Sequence, residues 1–186
     1  MKKLIFIISV AFSALTINAQ SIQEQIKKAR AKGDKGEYYG AISDYTEVID
    51  QILSNSFNLA TAYNNRGLYK SKLGDYNGAV SDYDYAILAN SNTIAFFSST
   101  EGVSGKINYV YYASRANAYM SLEKYDRAIS DFTKALELNP KDLVNYYGRS
   151  VARYMMGDKN GACQDAKKAK ELGLLDATQL IEKFCN

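Results

Sequence analysis

The sequence predicts an all-α solenoid: about four helix–turn–helix hairpins stacked in a row and closed by a C-terminal capping helix. Three observations predict it. A small–large–small apolar pattern recurs along the chain, the turns inside each unit are short and rich in Gly, Asp and Lys, and a basic and an acidic residue recur at constant separation.

The pattern is clearest in YDRAISDFTKALELNP, residues 125–140. Ala128, Phe132 and Ala135 lie four and three residues apart, which places them on one face of a helix that Pro140 ends. An isolated amphipathic helix would carry Leu or Ile there. Two alanines call for a neighbouring helix at short distance, with one ring filling the gap between them. Ala79, Tyr83 and Ala86 repeat the arrangement upstream, as do Ala41, Tyr45 and Val48, and Ala162, Ala166 and Ala169 repeat it downstream. The first alanines are separated by 38, 49 and 34 residues, so one interval is the bare unit and two carry insertions of four and fifteen.

A second apolar-periodic segment precedes each copy, at 23–32, 62–74, 111–122 and 146–157. Each centres on a small residue: Ala29, Gly67, Ala116 or Ser150. The turns between the two segments include GDKGE, LGDY and MGDK. The unit is therefore helix, tight turn, helix, with small residues facing each other.

In these features the chain resembles the tetratricopeptide repeat family, over residues 23–172. The resemblance implies repeats at about 22–53, 60–91, 109–142 and 143–173, within an array over 21–175, with an insertion at 91–108. Gln25 stands where the family's first helix carries an aromatic, and Ala166 where its second helix carries a ring. Gly67, Ala79, Ala116, Ala128, Phe132, Ala135 and Pro140 are the expected structural positions, with Phe132 wedged between neighbouring hairpins.

Arg66 and Asp82, Arg115 and Asp131, Arg149 and Asp165, and Lys28 and Asp44 are each sixteen residues apart. Residues equally far from a hairpin turn come level across it, so each pair is expected to bridge two helices of one repeat, or an adjacent repeat. The arginine fork suits a partly buried carboxylate. A basic ladder that receives an acidic ligand is the alternative.

The opening MKKLIFIISVAFSALTINA has two lysines, an apolar run from Leu4 to Val10 continuing as AFSAL, and a polar stretch ending in Ala19. That layout predicts a signal peptide over 1–19, cleaved near Ala19 or Gln20, and an exported protein, periplasmic or secreted, of bacterial type. Its apolar core is short for spanning a bilayer, so no integral membrane segment is expected after cleavage. Without Lys2 and Lys3 the formal charge of +3 becomes +1. Such a balance lacks the footprint of a nucleic-acid-binding protein.

Near the C-terminus, Cys163 lies nine residues before Leu172 and Cys185 nine after Asp176. These positions come level in an antiparallel hairpin, and an exported chain permits a disulfide there. Such a bridge would stabilise by about 3 kcal/mol on the loop-entropy account. Residues 176–186 form the expected cap, with Leu180, Ile181 and Phe184 on its apolar side. In the insertion, Ile94, Phe96 and Phe97 either pack on the adjoining helices, extending one of them, or make Phe96 and Phe97 a contact for a partner.

The chain has no His, and two cysteines that are expected to pair, so no nucleophile–base set, metal site or cofactor is expected. No Gly-rich loop has the order that cradles phosphate. The family resemblance implies instead a protein-binding module whose first helices line a concave groove for an extended peptide or a partner's helix. Carried onto this chain, the groove positions are Ile26 and Arg30; Asn64, Leu68 and Ser71; Ala113, Asn117 and Met120; and Tyr147, Val151 and Tyr154. A subclass of the family grips C-terminal carboxylates with Lys and Asn. Ile26, Arg30, Val110 and Ser114 depart from its pattern and only Asn65 matches, so that clamp is not expected. The expectation is a non-enzymatic adaptor, monomeric or weakly self-associating. A self-associating scaffold, and a carbohydrate-binding or enzymatic protein, are the alternatives.

Overall fold

The computed structural model describes residues 21–52, 56–96, 104–175 and 177–185. The segment 1–19, where the signal peptide is expected, and Phe97 lie outside the described residues. Among the described residues nine helices follow one another: α1 (21–34), α2 (Tyr38–Gln51), α3 (Ser56–Lys72), α4 (Tyr76–Phe96), α5 (Ser104–Ser121), α6 (Tyr125–Leu138), α7 (Leu143–Met155), α8 (Lys159–Glu171) and α9 (Ala177–Cys185). No strand occurs among the described residues. Odd and even helices pair as α3/α4, α5/α6 and α7/α8, with α9 against α8, and α1 packs on α2 through Ile22, Ile26 and Ala29 against Ala41, Tyr45 and Val48.

Each hairpin turn is built the same way. The second residue after the first helix takes a left-handed conformation, which lets two backbone N–H groups reach back to the helix's last carbonyls. Gly36, Gly74 and Gly157 have φ of 84°, 82° and 84°. Glu37, Asp75 and Asp158 then donate backbone bonds to the carbonyls of Lys32, Lys70 and Arg153 at 2.9–3.0 Å. Asp75 and Asp158 also cap the next helix by accepting from the N–H of Gly78 and Gly161.

The third hairpin keeps this backbone, with Lys124 N–H donating to the Tyr119 carbonyl at 2.9 Å, but without the glycine. Glu123 occupies the left-handed position at φ 57°, and Lys124 caps α6 with no side-chain hydrogen bond. A Cβ in this region costs roughly 1–2 kcal/mol. Glu123→Gly is therefore expected to stabilise the protein by roughly 1 kcal/mol after glycine's own entropy cost. A rise of about 2–4 °C in thermal midpoint would register it; an unchanged midpoint would show that the turn bears no strain.

The small–large–small pattern is the core. Ala41, Tyr45 and Val48, then Ala79, Tyr83 and Ala86, then Ala128, Phe132 and Ala135, and finally Ala162, Ala166 and Ala169 are all buried. Ala29, Gly67, Ala116 and Ser150 face them and are buried too. A Cβ built on Gly67 would lie 2.9 Å from the Tyr83 ring, 3.2 Å from the Ala79 carbonyl oxygen and 3.2 Å from Asp82 Cβ. Phe132 wedges between hairpins as expected, with its ring against Gly148 of α7 where a Cβ would stand. Tyr69 of α3 lies in the same way over Gly33 of α1. Rings thus join neighbouring repeats across missing side chains.

The expected insertion is taken up by helix at both ends, since α4 runs on to Phe96 and α5 begins at Ser104. Phe96 falls in the last turn of α4. The cap forms as expected: Phe184 is buried against Ala162 and Ala166, with Leu180 and Ile181 packed beside it. Cys163 and Cys185 are joined by a disulfide with Cα atoms 5.0 Å apart. Among the described residues, no helix is long and apolar enough to cross a membrane.

Candidate functional site

Within each repeat the first helix has two jobs, set by residue positions counted from its small residue. One position before it stands the cation of the paired charges. Arg66 Nε and Nη2 donate to Asp82 at 2.9 and 2.7 Å, Arg115 to Asp131 at 2.7 and 2.7 Å, and Arg149 to Asp165 at 2.8 and 2.8 Å. The aspartates are buried. The hydrogen bond to Asp131, with a second to Asp84, holds the Arg115 guanidinium above its ordinary range against the opposing effect of burial. Arg66 is raised in the same way, first by its bond to Asp82.

The remaining nitrogen of each fork reaches the preceding repeat, where Arg66 Nη1 donates to Thr46 Oγ1 at 3.1 Å and Arg149 Nη1 to Thr133 Oγ1 at 3.0 Å. Arg115 Nη1 reaches Asp84 of α4. Thr46, Asp84 and Thr133 each stand two residues beyond the paired aspartate of their own repeat, so one arginine ties three helices. The first repeat corrects the sequence expectation. Asp44 pairs with Lys32 Nζ at 2.7 Å rather than with Lys28, which is exposed. A lysine offers a point charge and no fork, so it gains nothing from the arginine position. Lys32 occupies the position, one turn later, from which Lys70 and Arg153 also reach their aspartates at 2.9 and 2.8 Å.

With the second helices occupied on one side, the other side of the first helices stays open. These helices lie side by side: Gln23 of α1 donates to Asn58 of α3, and α3 meets α5 and α5 meets α7 directly. On this face Leu68, Asn117 and Tyr147 are exposed, while Asn64, Ala113 and Met120 are half-buried. Asn64 donates to Asn65, which donates to Tyr45 Oη at 3.1 Å, and that hydroxyl reaches the Ile26 carbonyl. Burial raises the Tyr45 phenol to about 12 despite the Asn65 bond, so it stays neutral.

Four of the expected groove residues are engaged elsewhere. Ile26 is buried in the first core cluster with Ile22, Ala29 and Tyr45. Ser71 hydrogen-bonds Tyr83 of α4. Tyr154 stacks on Phe184 of the cap at 4.5 Å between centroids, and Val151 packs into the same cluster. The cap covers these two because it fills the place a fifth repeat would take. Arg30 is exposed as expected.

Sequence reasoning missed Val110 and Val144, which are 37% and 58% exposed. Both stand six residues before the small residue of their helix. That periodicity would have found them: Val144, Tyr147, Val151 and Met155 follow one another at helical spacing along α7, and Met155 is 54% exposed.

Two segments match the family model described as tetratricopeptide repeat, residues 60–93 and 109–142. The small glutamine-rich tetratricopeptide repeat-containing protein 2 of Saccharomyces cerevisiae is 32% identical over 76 residues, 41% of this chain and 22% of that protein. Human serine/threonine-protein phosphatase 5 is 34% identical over 74 residues, 40% of this chain and 15% of that protein. The chain thus spans less than a quarter of the length of these relatives. Among solved structures, a tetratricopeptide repeat protein from Parabacteroides merdae aligns with TM-score 0.68 at 20% identity, over 89% of this chain and 60% of that one. The first TPR of Spaghetti (RPAP3), bound to the HSP90 peptide SRMEEVD, aligns with TM-score 0.57 at 26% identity, over 68% and 90%. Helix order, repeat register and these matches together define an all-α array that carries tetratricopeptide repeats at 60–93 and 109–142.

Proposed function

We propose that this array is a non-enzymatic adaptor of the bacterial cell envelope, holding an extended segment of a partner polypeptide along the open face of its first helices. One observation carries the reading. The charges on the other face of α3, α5 and α7 are consumed by aspartates, yet Leu68, Val110, Val144 and Tyr147 stand exposed on the open face. Apolar groups gathered on one face of a folded chain mark an interaction surface. Asn117, between them, can hydrogen-bond a peptide backbone without demanding a sequence. The peptide-bound RPAP3 repeat domain supports the reading by likeness. Export rests on the opening segment of the sequence.

A photo-crosslinking residue placed at Tyr147 or at Glu47 of the full protein, expressed in its native cell, tests it. The expected outcome is one discrete heterologous adduct from position 147 and none from position 47. Equal labelling from both positions, or adducts only to a second copy of the chain, would count against the adaptor reading, and the latter would favour a self-associating scaffold.

A further inference from the structure

Charge is distributed unevenly along the open face, and the unevenness describes a ligand. From Tyr109 onward the only charge on α5 is Arg115, and the only charges on α7 are Arg149 and Arg153. All three are tied to aspartates. From Tyr109 onward on α5, and along α7, the open side is therefore uncharged and carries Val110, Val144, Tyr147 and Met155, all exposed. The opposite end differs. After Lys32, Arg66 and Lys70 are assigned to Asp44 and Asp82, α1 and α3 retain Lys27, Lys28, Arg30 and Lys72 against Glu24 and Asp34. Lys27 lies 3.8 Å from Glu24. Arg30 is exposed, stands in register with Leu68 and Asn117, and makes no ion pair among the described residues.

We infer that the face takes a segment of acidic, amphiphilic polypeptide, with apolar side chains over α5 and α7 and a carboxylate over Arg30 of α1. The inference rests on the peptide-binding reading above and adds the chemistry and direction of the ligand. Desolvating a carboxylate beside an unpaired guanidinium gains a two-point hydrogen bond. An apolar group gains nothing there, and the reverse placement would strand a carboxylate over Val144 and Tyr147 with no partner. Dimensions agree. Packed helices stand about 8–10 Å apart, so α1 and α7 are separated by roughly 27 Å along the face. At about 3.3 Å per extended residue, eight residues span that distance. The acidic and apolar parts of the ligand therefore sit roughly five to eight residues apart.

Panning a phage-displayed library of random dodecapeptides on the purified protein tests this directly. Enriched peptides are expected to carry two or more of Leu, Ile, Val, Phe or Met and, five to eight positions away, Asp or Glu. Synthetic copies should bind Arg30→Gln about 5–10-fold more weakly at low salt, with the difference shrinking as salt screens the pair. Tyr147→Ser should weaken them at every salt concentration. Lys72→Gln serves as a second charge variant should Arg30→Gln fold poorly. Enrichment of basic or uncharged peptides, or of acidic peptides that R30Q and K72Q hold as tightly as the parent does, overturns the division of the face while leaving peptide binding in place. No enrichment of any sequence overturns both readings.

Discussion

Gly67→Leu is expected to break the stack at its second repeat, at a cost of at least about 3 kcal/mol. Three neighbours fix that expectation. The new Cβ would meet the Tyr83 ring at 2.9 Å, the Ala79 carbonyl oxygen at 3.2 Å and Asp82 Cβ at 3.2 Å. A ring can tilt, but Ala79 is helical backbone in α4 and cannot retreat without moving the whole helix. The remaining leucine atoms have no space beyond, because Ala79, Asp82 and Tyr83 are all buried. Separating α3 from α4 would also stretch the Arg66–Asp82 pair, now held at 2.7 and 2.9 Å. Repeats in a solenoid hold one another by nearest-neighbour contact. Loss of the second pair therefore disconnects the first repeat from the third and fourth, and the melting curve should split in two. Gly67→Ala, which adds the Cβ alone, should cost roughly 1–2 kcal/mol and keep a single transition. Both variants are checked by thermal melting followed by far-UV circular dichroism. A leucine variant melting like the parent would mean that the helices do not approach as closely as the packing requires.

The architecture was legible because close helix packing leaves a direct trace in residue size. Ala128, Phe132 and Ala135 are readable as small, large, small only because a neighbouring backbone forbids anything bigger at the ends, and the structure buries all three. The three arginine–aspartate pairs were legible for a similar reason, since equal distance from a turn is a property of sequence. Chemistry beyond spacing was not. Lys28 satisfies the interval and fails the geometry, because the position rewards a planar fork and Lys32 sits closer to where a point charge is useful. The inter-repeat contacts to Thr46, Asp84 and Thr133 were missed, although their constant offset from the paired aspartate lay in view.

The open face was harder to read because exposure depends on which neighbour arrives. Tyr154 and Tyr147 stand seven residues apart on one side of α7. Only the docking of α9, through Phe184, takes the first and leaves the second. Ile26 carries the right register but sits in the first repeat, where it completes a cluster with Ile22 and Tyr45. Glu123 hides its strain for a related reason: a glutamate in a turn is unremarkable until its φ of 57° is known.

Arg115→Met should lower stability by about 3–5 kcal/mol, more than the same change at Arg66 or Arg149. The difference lies in what each aspartate keeps. Removing Arg66 leaves Asp82 with Lys70 Nζ at 2.9 Å, and removing Arg149 leaves Asp165 with Arg153 Nη1 at 2.8 Å. In the third repeat Tyr119 fills the position of that second cation. Asp131, 6% exposed, would then hold a carboxylate with no cation to answer it. Arg115 also joins the third repeat to the second through Asp84, a contact that methionine cannot make. For Arg66→Met and Arg149→Met, where one cation remains, about 1–2 kcal/mol is the expected loss, that of a charged hydrogen bond. Urea denaturation of the three variants gives the ranking. Three equal losses would show that the second cation does not support its aspartate. A negligible loss at Arg115 would show that Asp131 reaches water or a proton when its partner is gone. Restoring a cation from the other position, with Tyr119→Lys in the Arg115→Met background, should recover part of the loss, because it rebuilds the arrangement by which Lys70 holds Asp82.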